Sequence, residues 1–239
     1  ALASLSGCET GSQKRMKKLG GQLGQPIEAD PVAVYSRPSP IQHSIPSHSS
    51  PIARASLDVV PSFVVARSKW TGGKPRTWLA DPMGSVSRIT VHHDAISPIP
   101  SGSYGDSVRR LSAIRKGHLG RGWADIGYHY AIDPSGRVWQ ARPLTLQGAH
   151  VKDKNPNNLG IVMFGNYEKI QPTDRAMDSL NRLLAHEMLR FNVPINRVYT
   201  HRELASTACP GRNLQAKMIR VRAKGGELAQ LLTNSSALT

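Results

Sequence analysis

Short apolar runs that alternate with amphipathic helical segments constrain the fold of this 239-residue chain more than any other feature. Four segments have the length and composition of strands: RITVHH (88–93), YHYAID (128–133), residues 138–141 and GIVMFG (160–165). The turn sequence DPSG joins the second of them to the third. Strands interspersed with helices along the chain are typical of α/β domains. We therefore predict an α/β fold.

The helices can be placed from their apolar spacing. Residues 107–116 predict a helix in which Arg109, Arg110 and Arg115 point largely outward. Its inward positions are apolar: Val108, Leu111 and Ile114. Thr173 is the expected N-cap of a second helix, and Asp174 suits its positive N-terminus. The core residues of this second helix recur at helical spacing: Met177, Leu180, Leu184 and Met188. A last helix is expected to begin near Asn213.

Length and cysteine content limit the organisation. With 39% hydrophobic residues, the chain can form one compact domain with appendages. Its two cysteines, Cys8 and Cys209, exclude a disulfide framework.

The N-terminal region predicts a membrane anchor and a tether. Residues Leu5 to Cys8 resemble a bacterial lipobox, so residues 1–8 are expected to be the remnant of a lipoprotein signal with Cys8 as the lipidated residue. The alternative, an ordinary chain end with one free cysteine, stays open. Residues 9–58 are rich in Ser, Pro, Gly and Gln, with no helical or strand period, which predicts a flexible tether.

A candidate metal site lies further along the chain. His201 and Cys209 stand eight residues apart before a Pro-Gly pair, and RITVHHDA supplies a further histidine at the end of an apolar run. Catalytic zinc takes three nitrogen, sulfur or oxygen ligands from the protein and keeps one open position. Two histidines and one cysteine match that number. Taken singly, His201 could be a surface residue and Cys209 an inert buried thiol.

Five segments in order carry a resemblance that covers residues 59 to about 214. They are VVARSKW, ITVHHDA, HLGRGWADIGYHYAIDPSGRVWQAR, GAHVKDKNPNNLGIVMFGNY and THRELASTACPG. Together they resemble the type 2 family of N-acetylmuramoyl-L-alanine amidases, which includes phage lysozyme-type amidases and peptidoglycan recognition proteins.

The resemblance implies a fold and a ligand set. The expected fold is a central mixed, largely parallel β-sheet flanked by helices. The amidase domain is expected over residues 59–224, with residues 225–239 as the end of a C-terminal helix and a tail. The first histidine of the HH pair binds zinc in this family, so one Zn²⁺ is expected on His92, His201 and Cys209.

Catalytic residues are also implied. The tyrosine of GYH, here Tyr128, is expected to donate a hydrogen bond to the oxyanion or the substrate. Thr207 stands where phage relatives carry lysine, and its hydroxyl could serve the same oxyanion without a positive charge. Some branches use a glutamate where this chain has Val162, so that general base is absent. Proton transfer is left open among the zinc-activated water, Tyr128 and a nearby histidine.

Substrate contacts are expected from His150, His93 and Arg142. His150 could instead orient a metal ligand or satisfy a core hydrogen bond. For His129, beside Tyr128, a structural or ligand-orienting role is favoured, because successive strand residues alternate faces.

The predicted function is hydrolysis of the bond between N-acetylmuramic acid and L-alanine in peptidoglycan or muropeptides, by a monomer in the envelope of a bacterium, periplasmic or on the surface. The main alternative is a peptidoglycan-binding module without activity. The net charge of +15 favours contact with polyanions without choosing among them. We expect no nucleic-acid partner, because a zinc-finger spacing is absent and aromatic residues form only 5% of the chain.

Overall fold

The computed structural model describes residue 57 and residues 59–97 and 102–234. The predicted lipobox at Cys8 lies outside these residues, as does the predicted tether apart from Leu57. Leu57 packs against the main hydrophobic core.

A six-stranded sheet forms the centre of the described part of the chain, in the order β1-β4-β3-β5-β2-β6. The strands are β1 (Val64–Val65), β2 (Arg88–His93), β3 (Tyr130–Ile132), β4 (Val138–Gln140), β5 (Asn158–Met163) and β6 (Val198–Thr200). Every pairing is parallel except that of β3 with β4, which the predicted DPSG turn connects. Gly136 of this turn has a φ of 86°, a conformation that glycine adopts without strain. The mixed, largely parallel sheet is confirmed.

Four α-helices of the described residues flank this sheet: α1 (Tyr104–Gly120), α2 (Asp174–Phe191), α3 (Arg212–Val221) and α4 (Glu227–Thr233). The Thr173 hydroxyl accepts a hydrogen bond from Ala176 N and caps α2 as predicted. At the other end of α2, Asn192 adopts the left-handed conformation that ends many helices. Within the described residues, no helix has the length and apolar content needed to cross a membrane.

The two faces of the sheet differ. The face toward α2, α3 and α4, which we call the core face, carries the main apolar cluster. On this face β2 and β5 contribute five apolar residues to the cluster: Ile89, Val91, Leu159, Ile161 and Met163. The opposite face, which we call the site face, packs on α1 through a smaller cluster that includes Leu111, Val162 and Phe164. On this face β2 carries Thr90 and His92, because side chains alternate along a strand.

The orientation predicted for two arginines of α1 is wrong. Arg110 is paired with Asp94 at 2.6 Å and Arg115 with Asp125 at 2.6 Å. Their side chains are only 13% and 16% exposed. The helical spacing identified the apolar face correctly, but long side chains beside that face reach back to buried carboxylates.

Candidate metal centre

The ends of two neighbouring parallel strands bring the histidines together. In the pairing of β2 with β6, Val91 lies opposite Thr200, so the next residues, His92 and His201, meet at the carboxyl edge of the sheet. His201 begins a short 3₁₀-helix, His201–Glu203, which a reciprocal pair of hydrogen bonds between Thr200 and Glu203 caps. The chain direction after β6 is thereby fixed.

A loop before α3 supplies the cysteine. Cys209 is held on both sides, because Arg202 N donates to its carbonyl oxygen at 2.9 Å and His93 N donates to its Sγ at 3.4 Å. Gly211 follows with a φ of 86°, and a Cβ there would lie 2.4 Å from Glu168 N. Glycine is therefore required at this position of the Pro-Gly pair, so that the loop can approach the backbone of Glu168 this closely.

The three donor groups fit a zinc ion. One ligand atom from each of His92, His201 and Cys209 lies within 4.8 Å of the others. His92 Nδ1 and Cys209 Sγ are 3.7 Å apart. In a tetrahedral shell with the usual zinc bond lengths, a nitrogen and a sulfur ligand are separated by about 3.6 Å. Two imidazoles and a thiolate are also the donor types that zinc prefers.

Burial acts in opposite ways on two of these groups. It lowers the pKa of His92, so the imidazole stays neutral, the form that binds metals. It raises the pKa of Cys209 to about 12, so the thiolate requires a cation beside it. A divalent ion at this point would supply that cation.

Tyr128 borders the centre from the segment before β3. Its ring centroid is 5.2 Å from that of His92, and its side chain is partly exposed. Burial of the phenol beside the centre raises the pKa of Tyr128, so the phenol keeps its proton and can donate a hydrogen bond.

Thr207 and Val162 each lie beside a different candidate ligand. Thr207 Oγ1 accepts a hydrogen bond from Cys209 N at 3.2 Å, which orders the loop that holds the thiol. Val162 is fully buried and pairs with His92 across β2 and β5. The position at which the resemblance implies a glutamate in some branches is therefore next to His92, a candidate metal ligand, and here it is apolar.

Two of the predicted substrate contacts lie in structural positions. His93 follows His92 on β2 and therefore faces the other side of the sheet, where its Nδ1 accepts from Tyr167 N at 3.2 Å. Arg142 is 2% exposed, and each of its three nitrogens donates to a backbone carbonyl, those of Ile126, Gln147 and Asp125. This geometry favours structural roles for both residues over the predicted contacts with substrate.

His150 and His129 are buried and bonded on both ring nitrogens. His150 Nδ1 lies 3.0 Å from His92 Nε2, so the third predicted substrate contact touches a candidate metal ligand directly. His129 Nδ1 accepts from Gly160 N at 2.9 Å, and its Nε2 lies 3.1 Å from the carbonyl oxygen of Leu146. The hydrogen bonds of His129 match the structural role that the sequence favoured.

Sequence reasoning assigned no role to Asp94. Its carboxylate pairs with Arg110 of α1 and accepts from Gly165 N at 2.9 Å, which joins the ends of β2 and β5 to α1 beside the metal centre. The available signal was its place directly after the two histidines in ITVHHDA.

Comparison with known proteins gives a consistent result. The family model described as N-acetylmuramoyl-L-alanine amidase matches residues 82–212. Peptidoglycan-recognition protein SC2 of Drosophila simulans is 31% identical over 157 residues, which are 63% of this chain and 82% of that protein. A protein of Sus scrofa named N-acetylmuramoyl-L-alanine amidase is 29% identical over 61% of this chain, but the match covers 25% of its own length.

A solved structure supports the fold directly. Peptidoglycan recognition protein-LE in complex with tracheal cytotoxin, a monomeric diaminopimelic acid-type peptidoglycan, superposes with a TM-score of 0.61 at 26% identity. The superposition covers 66% of this chain and 94% of that one.

Proposed function

The chain belongs to the N-acetylmuramoyl-L-alanine amidase family, and from that premise we propose that it is a zinc-dependent hydrolase of peptidoglycan. The bond cleaved is the amide between the lactyl group of N-acetylmuramic acid and L-alanine. The observation that carries the proposal is the convergence of His92, His201 and Cys209 at separations that suit one tetrahedral zinc ion.

The chain's own residues supply three parts of the chemistry. His92, His201 and Cys209 would hold the ion, which when bound provides a Lewis acid that polarises a carbonyl and lowers the pKa of water. Tyr128, protonated at neutral pH, donates a hydrogen bond toward the oxyanion that develops on the scissile carbonyl. Thr207 orders the loop of Cys209, and its hydroxyl proton is available to the same oxyanion.

Val162 sets a limit on the mechanism. A glutamate at this position would lie beside His92 and could take a proton from water, but valine cannot. Proton transfer to the departing nitrogen therefore falls to water, Tyr128 or a histidine near the centre.

The substrate is proposed to be intact peptidoglycan or soluble muropeptides. In support, one structural relative was solved with a muropeptide bound. We also propose that the enzyme acts in the cell envelope of a bacterium, anchored through Cys8 if the lipobox is processed. The positive charge of the chain would hold it near anionic envelope polymers.

The test is a digestion of purified sacculi by the full chain with and without zinc, followed by mass spectrometry. We expect zinc-dependent release of stem peptides with a new N-terminal L-alanine, and no release by Cys209→Ala. Cys8→Ser is the matched control, because it removes the other cysteine of the chain and should leave hydrolysis unchanged. Sacculi that are bound but not cleaved by the zinc-loaded wild type would instead establish a binding module.

A further inference from the structure

The ring of His150 lies between a metal ligand and a backbone carbonyl. Its Nδ1 is 3.0 Å from His92 Nε2, and its Nε2 is 3.1 Å from the carbonyl oxygen of Asn158. The two rings are nearly perpendicular, with centroids 5.0 Å apart. His150 thus connects His92 of β2 to the start of β5.

These contacts determine where the protons lie. A carbonyl oxygen only accepts, so Nε2 of His150 must carry a hydrogen. A neutral imidazole has one N–H, so Nδ1 of His150 is an acceptor and Nε2 of His92 must be the donor. The lone pair of His92 is then on Nδ1, which is the nitrogen 3.7 Å from Cys209 Sγ.

The fold keeps the His150 ring in this orientation. A Cβ at Gly160 would lie 2.5 Å from Cδ2 of His150, and a Cβ at Gly148 would lie 2.6 Å from the same atom. Either glycine replaced by a larger residue would displace the ring. The side chain of Asn155 also accepts from the backbone N–H of His150 at 2.8 Å. The two glycines therefore leave the space that the imidazole occupies, and the asparagine fixes the backbone that carries it.

We propose that His150 is a positioning residue, which fixes the tautomer and ring angle of His92 so that Nδ1 of His92 binds the metal. The inference rests on the proposed function only in taking the ion as zinc. Groups that orient a metal-binding histidine typically change metal affinity by roughly 10- to 100-fold. His150 thus acts on the metal through His92, and its predicted contact with substrate is not needed.

A matched pair of variants separates the hydrogen bond from the packing. His150→Asn places an amide oxygen near the position of Nδ1, whereas His150→Leu has nearly the same shape as asparagine and no acceptor. Zinc affinity is measured by competition with a chelating dye, with circular dichroism as the check on folding. We expect His150→Leu to weaken zinc binding roughly 10- to 100-fold and His150→Asn to recover most of that loss.

His118→Asn is the control. His118 lies on α1, the helix that covers the site face of the sheet. It accepts a hydrogen bond from Gly127 N and packs on Trp123, so its replacement should leave zinc affinity unchanged. Equal zinc affinities for His150→Leu and His150→Asn, or for His150→Leu and wild type, would overturn the proposal.

A measurement on the wild type covers the case in which both His150 variants fail to fold. Nitrogen-15 NMR of the zinc-loaded protein should show His92 with its proton on Nε2 and the metal on Nδ1; the reverse assignment contradicts the proposal. A weaker-binding His150→Leu in a protein that never cleaves sacculi would support the proposal and reject the hydrolase. If the wild type cleaves sacculi while His150→Leu binds zinc normally, the hydrolase is supported and the role of His150 is rejected. A wild type that binds no zinc would reject both the hydrolase and the role of His150.

Discussion

Under α2, α3 and α4 the core face buries the larger apolar cluster, with His93 and Glu187 among its buried polar residues, whereas the site face under α1 mixes a small apolar cluster with several buried polar groups. Three buried carboxylates on the α1 side, Asp94, Asp125 and Asp133, are each paired with arginine. Apolar burial stabilises a fold but does not fix the orientation of individual side chains, whereas hydrogen bonds and ion pairs do. Most of the buried apolar side chains therefore lie on one face, and the candidate metal centre lies on the other.

The contrast is visible within two residues. His92 and His93 are neighbours on β2, yet His92 joins the metal centre and His93 packs on Tyr167 on the opposite face. Substitutions on the two faces should accordingly affect different properties.

The largest effect on stability is expected on the core face. Leu180 of α2 is fully buried there, and Leu180→Ala should lower the free energy of unfolding by about 3 kcal/mol, from lost burial and the cavity left behind. Urea unfolding of the zinc-free protein measures this change. The zinc affinity of the folded variant should equal that of the wild type, and a weakened affinity would mean that the two faces are coupled.

On the site face, the removal of one hydroxyl should affect catalysis instead. Tyr128→Phe is expected to lower kcat about 100-fold, the usual cost of a lost oxyanion donor, with stability and zinc affinity nearly unchanged. Steady-state hydrolysis of a soluble muropeptide, alongside dye competition for zinc, provides the comparison. A variant with normal kcat would remove Tyr128 from the mechanism.

The smallest expected effect is the share of a single histidine, His118, in the sensitivity to acid; His92, His93, His129 and His150 have pKa values lowered in the same direction. Burial lowers the pKa of His118 to about 4 and that of His129 well below its usual value, so the unfolded chain binds more protons than the folded one below about pH 6.5. Stability is therefore complete above that pH and decreases as the pH falls toward 4. Each such histidine should cost about 1 kcal/mol at pH 5.5. Urea midpoints of the zinc-free protein at pH 7.5 and 5.5 test this, and His118→Asn should reduce the difference; an unchanged difference would contradict the assignment to His118.

The elements that local sequence determines were predictable. The bounds of β2 follow from an apolar run that ends in two histidines, and the start of α2 follows from the Thr173 cap. The candidate metal ligands were proposed from residue chemistry together with resemblance to a family, since no local spacing joins His92 to residues more than 100 positions away.

Long-range pairing explains what could not be predicted. A helical projection places Arg110 and Arg115 on the exposed side of α1. Their buried partners, Asp94 and Asp125, belong to other segments, so the projection does not show them. For His150 the sequence left contact with substrate and orientation of a metal ligand both open. The choice between them depends on the space left by Gly148 and Gly160 and on one backbone carbonyl, none of which a pattern of side chains reveals. Such features follow from register and backbone geometry.

The central claim is that His92, His201 and Cys209 together hold one zinc ion. X-ray absorption spectroscopy at the zinc edge, on protein loaded with one equivalent of metal, tests it directly. The account predicts one sulfur ligand at about 2.3 Å and nitrogen or oxygen ligands at about 2.0 Å, with the sulfur signal absent in Cys209→Ala. A zinc shell without sulfur in the wild type, or the same shell in both proteins, would contradict it.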